Sequence, residues 1–193
     1  MYDFISGKIT QSSPAFVVLE NQGIGWFINI SLNTFTVIKD KSEIKLFVHE
    51  NIREDAYNLF GFIDLEDREL FRHLISVSGI GPNTARMMMS SMQTNEIKTS
   101  ILTGNVEQLK GIKGIGLKTA QRIIVELKDK LGKEPIDTKM FAEQDNSVRD
   151  EALSALVMLG FTRTASQKAI EKILSSQPGC KVETLIRLAL KML

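Results

Sequence analysis

Two stretches of the chain carry one pattern. SGIGPNTARMMM at 78–89 aligns without gaps on KGIGLKTAQRII at 113–124, sharing G-I-G, the threonine and the alanine after it. Glycine reaches backbone angles that a Cβ penalises, so each G-I-G can make a tight turn straight into a helix. A helix that starts this way presents unpaired backbone N–H groups, has the positive end of its dipole behind them, and lacks side chains that would block close approach. That is the chemistry of an anion site. Lys113, Lys118 and Arg122 lie beside the second copy and Arg86 beside the first, which makes a nucleic-acid phosphate the natural anion. Such contacts hold a backbone and read no base. The plainer alternative is that each G-I-G only joins two helices.

Other chemistry is sparse. There is no G-x-x-x-x-G-K-[ST] phosphate loop and no G-x-S-x-G nucleophile elbow, so neither ATP hydrolysis nor acyl transfer is expected. Cys180 is the only cysteine, and His49 and His73 are far from it and from each other, so no metal and no cofactor is expected. The acidic pair Glu54-Asp55 stands between two strand-like runs, where a solvated turn is the ordinary interpretation.

The elements that must position these residues fall into parts. FISGKITQ, AFVVLE, IGWFINI, EIKLFVHEN and AYNLFGF are short β-branched and aromatic runs, with turn signals SSP at 12–14 and NQG at 21–23. Five short strands within residues 1–63 predict a small closed barrel. From Asp64 to about 132 the apolar period is helical. A helical segment holding Leu70, Phe71, Leu74 and Ile75 precedes the first turn; a short one capped by Asn105, with Val106 and Leu109, precedes the second. After the turns, Ala85, Met88, Met89 and Met92, then Ala120, Ile123, Ile124 and Leu127, mark the buried faces. Pro82 sits where a helix start tolerates proline. Residues 133–147 lose periodicity, contain Pro135 and predict a linker. VRDEALSALVMLGF, TASQKAIEKILSS and KVETLIRLALKML then predict three amphipathic helices over 148–193.

With 43% hydrophobic and 24% charged residues, no membrane-length apolar run and no signal-like N-terminus, the expected location is cytoplasmic. Net charge is −2 over 1–63, +2 over 64–132 and +1 over 133–193, giving +1 overall, so DNA binding must rest on local arrangement. Six basic against three acidic residues between 101 and 130 put the local surplus at the second turn.

Paired helix-hairpin-helix motifs between a five-stranded barrel and a small helical domain resemble the RuvA family of Holliday-junction-binding proteins. The resemblance rests also on REDAYNLFGF at 53–62, LFRHLISVSGIGP at 70–82, GIKGIGLKTAQRIIVELKDK at 111–130, EALSALVMLGF and ETLIRLAL, and covers essentially the whole chain. It implies an α+β multidomain fold: an OB-like barrel, a central all-α domain with two helix-hairpin-helix motifs, and a three-helix UBA-like domain. It implies a non-catalytic homotetramer, one or two face to face on DNA, that holds a four-way junction open and square. That assembly recruits the RuvB motor ATPase for branch migration in recombination and repair, and the RuvC resolvase acts at the same junction.

The resemblance implies that Gly79, Ile80, Gly81, Gly114, Ile115 and Gly116 form the hairpins and donate backbone N–H groups. Asn83, Thr84, Arg86, Lys113, Lys118, Thr119 and Arg122 flank them as phosphate contacts. Glu54 and Asp55 become an acidic pin, whose carboxylates gather at the tetramer axis and keep strands apart by repulsion. Leu156, Leu159 and Phe161 become the RuvB-docking residues. Asn83 and Leu117 stand where lysine is expected; the Asn83 side chain can still donate to phosphate, that of Leu117 cannot. Two other classes stay open: a helix-hairpin-helix repair nuclease or glycosylase component, and a single-strand binder stacking bases on Trp26, Phe27 and Phe47.

Overall fold

The computed structural model describes residues 1–132, 144–177 and 179–193. Alternation of apolar and polar residues produces β1 (Phe4–Ser13), β2 (Phe16–Asn21), β3 (Ile24–Asn29), β4 (Glu43–Arg53) and β5 (Ala56–Phe62). They close a barrel in the order β1-β2-β3-β5-β4, with β4 returning to β1. A shift of register between Ile9 and Gln11 bends β1 so that it serves both β2 and β4. At Gly7 the strands approach so closely that a Cβ would stand 2.3 Å from the Glu20 carbonyl oxygen. The inward residues Val17, Leu19, Ile28, Leu46, Val48 and Leu59 fill the interior.

One seam differs from the rest. β3 and β5 run parallel and share only the pairs Ile28–Leu59 and Asn29–Phe60. Between β3 and β4 the chain forms α1 (Leu32–Ile38), capped by Ser31, whose Oγ accepts from the Thr34 N–H at 3.1 Å, and Ile38 is buried in the barrel core. This helix was not expected: LNTFTVI is rich in residues of low helix propensity, and burial of one face overrides that preference.

Five helices follow: α2 (Leu65–Ile75), α3 (Pro82–Ser91), α4 (Thr94–Leu102), α5 (Val106–Lys110) and α6 (Leu117–Leu131). Their apolar faces meet in one core that also takes in Phe60 and Phe62 of β5, whose rings lie 5.2 and 4.9 Å from that of Phe71. Buried Arg68 of α2 donates to the Asp3 carbonyl at 2.8 Å and carboxylate at 2.6 Å, and Asn33 of α1 donates to the Met89 and Met92 carbonyls at 2.7 and 3.0 Å. Barrel and helices, expected as separate domains, are therefore one compact unit.

The described residues from 144 onward belong to a second unit, made of α7 (Gln144–Met158), α8 (Arg163–Ser176) and α9 (Val182–Ala189) around Leu153, Leu156, Ile170, Ile173 and Leu185. The last four residues of the expected linker, 144–147, are the start of α7; residues 133–143 of that linker lie outside the described residues.

Candidate nucleic-acid interface

The two G-I-G segments fold alike. Ile80 N–H donates to the Val77 carbonyl and Ile115 N–H to the Ile112 carbonyl, both at 3.0 Å, closing four-residue turns. Gly79 and Gly114, third in each, have φ of 92° and 90°. A positive φ at that position alone is the signature of a type II turn and explains why glycine stands there. Gly81 and Gly116 then cap α3 and α6 with φ, ψ of −89°, 169° and −84°, 170°. The sequence repeat is thus a structural repeat.

Neither glycine cap offers a side-chain acceptor, and neither first turn contains an acid. Neighbouring helices are treated otherwise: Asp64 caps α2, Asn105 caps α5, and Gln93 with Glu96 forms a capping box on α4. The first intrahelical bonds run from Ala85 to Gly81 and from Ala120 to Gly116. That leaves the N–H groups of Asn83 and Thr84 in α3, and of Leu117, Lys118 and Thr119 in α6, free for an external acceptor. Thr84 and Thr119 are half-buried at the third helical position, while Asn83 and Lys118 are exposed beside them. Lys113 and Lys118 have no acidic partner among the described residues.

Several expectations change at this point. Ile80 and Ile115, expected as backbone donors, are 5% and 4% exposed; their N–H groups close the turns and their side chains enter the helical core. Arg86, expected on phosphate, turns toward the barrel and donates to the Ala15 carbonyl at 2.9 Å and Asn29 Oδ1 at 3.1 Å. Arg122 is exposed, and its guanidinium donates to the Ser78 carbonyl at 3.0 Å, joining the second hairpin's helix to the first hairpin's turn. Leu117, 50% exposed, occupies the first helical position, so its backbone N–H is among those without an intrahelical acceptor; Pro82, its counterpart, has no N–H at all. The sequence signal for these donors was present in the absence of Asp, Asn, Ser or Thr before Pro82 and Leu117.

Glu54 and Asp55 are the exposed two-residue loop between β4 and β5, set by the pairing of Arg53 with Ala56. Ile52 and Tyr57 pair beneath it, both exposed, so the hairpin projects an apolar stem with a charged tip. The three rings of the stacking alternative make no common platform: Trp26 meets Tyr2 edge-on at 5.3 Å, Phe27 stacks on Phe16 at 4.6 Å, and the Lys45 ammonium covers Phe47 at 4.8 Å.

In the second unit, α7 ends in a Schellman arrangement. Phe161 N–H donates to the Leu156 carbonyl at 3.1 Å, Gly160 N–H to that of Val157 at 3.0 Å, and Gly160 has φ of 98°. The motif folds Phe161 back onto the core, where it is half-buried. Leu156, expected at a docking surface, is 0% exposed and belongs to the core of the second unit with Leu153, Ile170, Ile173 and Leu185. Leu159 is 61% exposed, and Met158, not singled out from sequence, is 88% exposed.

Comparison with known proteins matches the geometry segment by segment. The family described as RuvA N terminal domain matches residues 1–61, SAM-like helix-hairpin-helix tandem matches 71–129, and RuvA, C-terminal domain matches 147–193. The chain is 45% identical over 193 residues to the Holliday junction branch migration complex subunit RuvA of Christiangramia forsetii, and 48% over 201 residues to that of Bacteroides fragilis. It is 46% identical over 198 residues to that of Cytophaga hutchinsonii, and in all three cases the whole of both chains is covered. With its closed barrel, doubled hairpins and terminal helical unit all accounted for in this way, the chain belongs to the RuvA family.

Proposed function

We propose that this chain is the junction-holding subunit of a branch-migration complex, binding four-way DNA without sequence preference and leaving ATP hydrolysis to a RuvB partner. The observation that carries the proposal is the pair of uncapped, acid-free helix starts that share one compact unit with the acidic turn. Backbone N–H groups of the two hairpins take successive phosphates, and Lys113, Lys118 and Arg122 supply positive charge. Glu54 and Asp55 repel phosphates at the point where strands cross and so steer them apart.

Four copies surround the junction in this account. Exposed apolar residues of the barrel, among them Phe4, Ile24, Phe27 and Tyr57, support self-association. Met158 and Leu159 support docking of the motor ATPase on the second unit, and the RuvC resolvase acts on the same open junction. Replacement of Lys118 by Gln tests the phosphate assignment: the log–log salt dependence of junction binding should become shallower by about 0.9 for each copy bound. An unchanged slope would remove Lys118 from the phosphate contacts.

A further inference from the structure

We infer that Arg86 is a positioning residue: it ties the first hairpin's helix to the strand that carries the acidic turn, and so fixes the separation between the phosphate sites and Glu54-Asp55. The chain of contacts is continuous. Arg86 on α3 donates to Asn29 Oδ1 at 3.1 Å, and Asn29 Nδ2 donates to the Leu59 carbonyl at 3.1 Å. Leu59 lies on β5, which starts immediately after Asp55. Asn29 thereby adds a side-chain bond to the parallel β3–β5 seam, which holds only two residue pairs. The Ala15 carbonyl, which also accepts from Ile30 N–H, receives Arg86 at 2.9 Å.

Two further observations separate Arg86 from the phosphate contacts. Its counterpart in the second hairpin is the neutral, exposed Gln121, so its charge is not part of the repeated anion machinery. Its acceptors are neutral oxygens, and burial pulls its pKa below the ordinary guanidinium value, as expected of a group turned from solvent to a structural task. Toward its C-terminal end α3 is held again, by Leu32 N–H donating to Ser90 Oγ at 3.0 Å and by Asn33 at Met89 and Met92. The helix is thus pinned to the barrel along its length. A duplex meets only the hairpins; a junction also meets the acidic turn, whose carboxylates repel any strand that runs out of register with it, so misplacing the turn costs junction affinity although neutralising it does not. Arg86 therefore acts on selectivity for the junction over duplex.

The inference rests on the hairpins being phosphate clamps, and the test keeps the two apart. Fluorescence anisotropy on labelled four-way junction and matched duplex across a salt series compares the full chain with Arg86→Gln, Asn29→Ala, the double variant and Lys118→Gln, alongside thermal unfolding. Arg86→Gln should lose about tenfold in junction affinity, a change of about 1.4 kcal/mol, with duplex affinity and salt slope unchanged. Asn29→Ala should reproduce that loss, and the double variant should add little to it. A slope shallower by about 0.9 for each copy bound for Arg86→Gln would make it a phosphate ligand and overturn the inference. An unchanged junction-to-duplex ratio, or equal losses on both DNAs with a lowered melting temperature, would overturn it as well. If Lys118→Gln leaves the slope intact, the clamp reading fails instead.

Discussion

Replacing Gly114 with alanine isolates the conformational demand of the second hairpin. Gly114 has φ of 90°, and an added Cβ would meet nothing within 4 Å, so the substitution introduces no clash. What it introduces is left-handed backbone strain on an L-residue, about 1–2 kcal/mol. The chain can tolerate that strain, in which case urea unfolding shows the loss directly. It can also relax the turn, breaking the Ile115–Ile112 hydrogen bond and pulling Ile115 out of the core; the binding-competent hairpin is then less populated and apparent affinity falls by up to about tenfold. Urea unfolding and junction anisotropy at two salt concentrations report both. The salt slope should not change, because no charge is removed. D-alanine at 114, introduced by semisynthesis, prefers positive φ and should restore stability and affinity together. An L-alanine variant with wild-type stability and wild-type affinity would refute the account of why glycine stands there.

Further expectations follow from the same geometry. Glu54→Gln with Asp55→Asn should maintain or tighten DNA binding in a gel shift, since carboxylates that repel phosphate are removed; a large loss would contradict the steering role. His49 is held below its ordinary pKa of 6.5 by burial first and then by Arg72 and Arg68. The folded chain prefers the neutral ring, so this contribution to stability is full above pH 6.5 and is lost as pH falls toward the depressed value; His49→Gln should flatten that acid-side decline in urea midpoints. Leu156→Ala should destabilise the second unit by about 2–5 kcal/mol, as core truncations do, whereas Met158→Asp should leave its melting unchanged and weaken pull-down of the motor ATPase.

Much of this fold is legible in the chain, for physical reasons that also mark the limit. The five barrel strands follow from alternation and turn residues, and the hairpins from glycines whose φ leaves little choice of residue. The repeat at 78–89 and 113–124 suggests a doubled anion site through its G-I-G turns, the helix-start N–H groups behind them and the basic residues beside them, and the fold shows the repeat in its backbone. α1 was not readable: LNTFTVI is a poor helix former, and burial of Thr34 and Ile38, with the Ser31 cap, makes it helical. Arg86 reads as a phosphate contact because it is a basic residue just past a G-I-G turn, and sequence alone cannot show that its side chain bonds the barrel. Its true partners, Ala15 and Asn29, are more than fifty residues away in sequence. Leu156 proves to be core because helical spacing identifies an apolar face without saying which of its residues the neighbouring helices bury. Leu117, awkward as a side chain in the proposed phosphate site, starts α6 with a backbone N–H that the helix itself does not use.

The central claim is that two uncapped hairpins and an acidic turn form a device for four-way DNA. Gel-shift competition among a four-way junction, matched duplex and single strand, at two salt concentrations, tests it most directly. The junction should win over both competitors at each salt, with affinity falling steeply as salt rises. Equal binding of junction and duplex would contradict the claim.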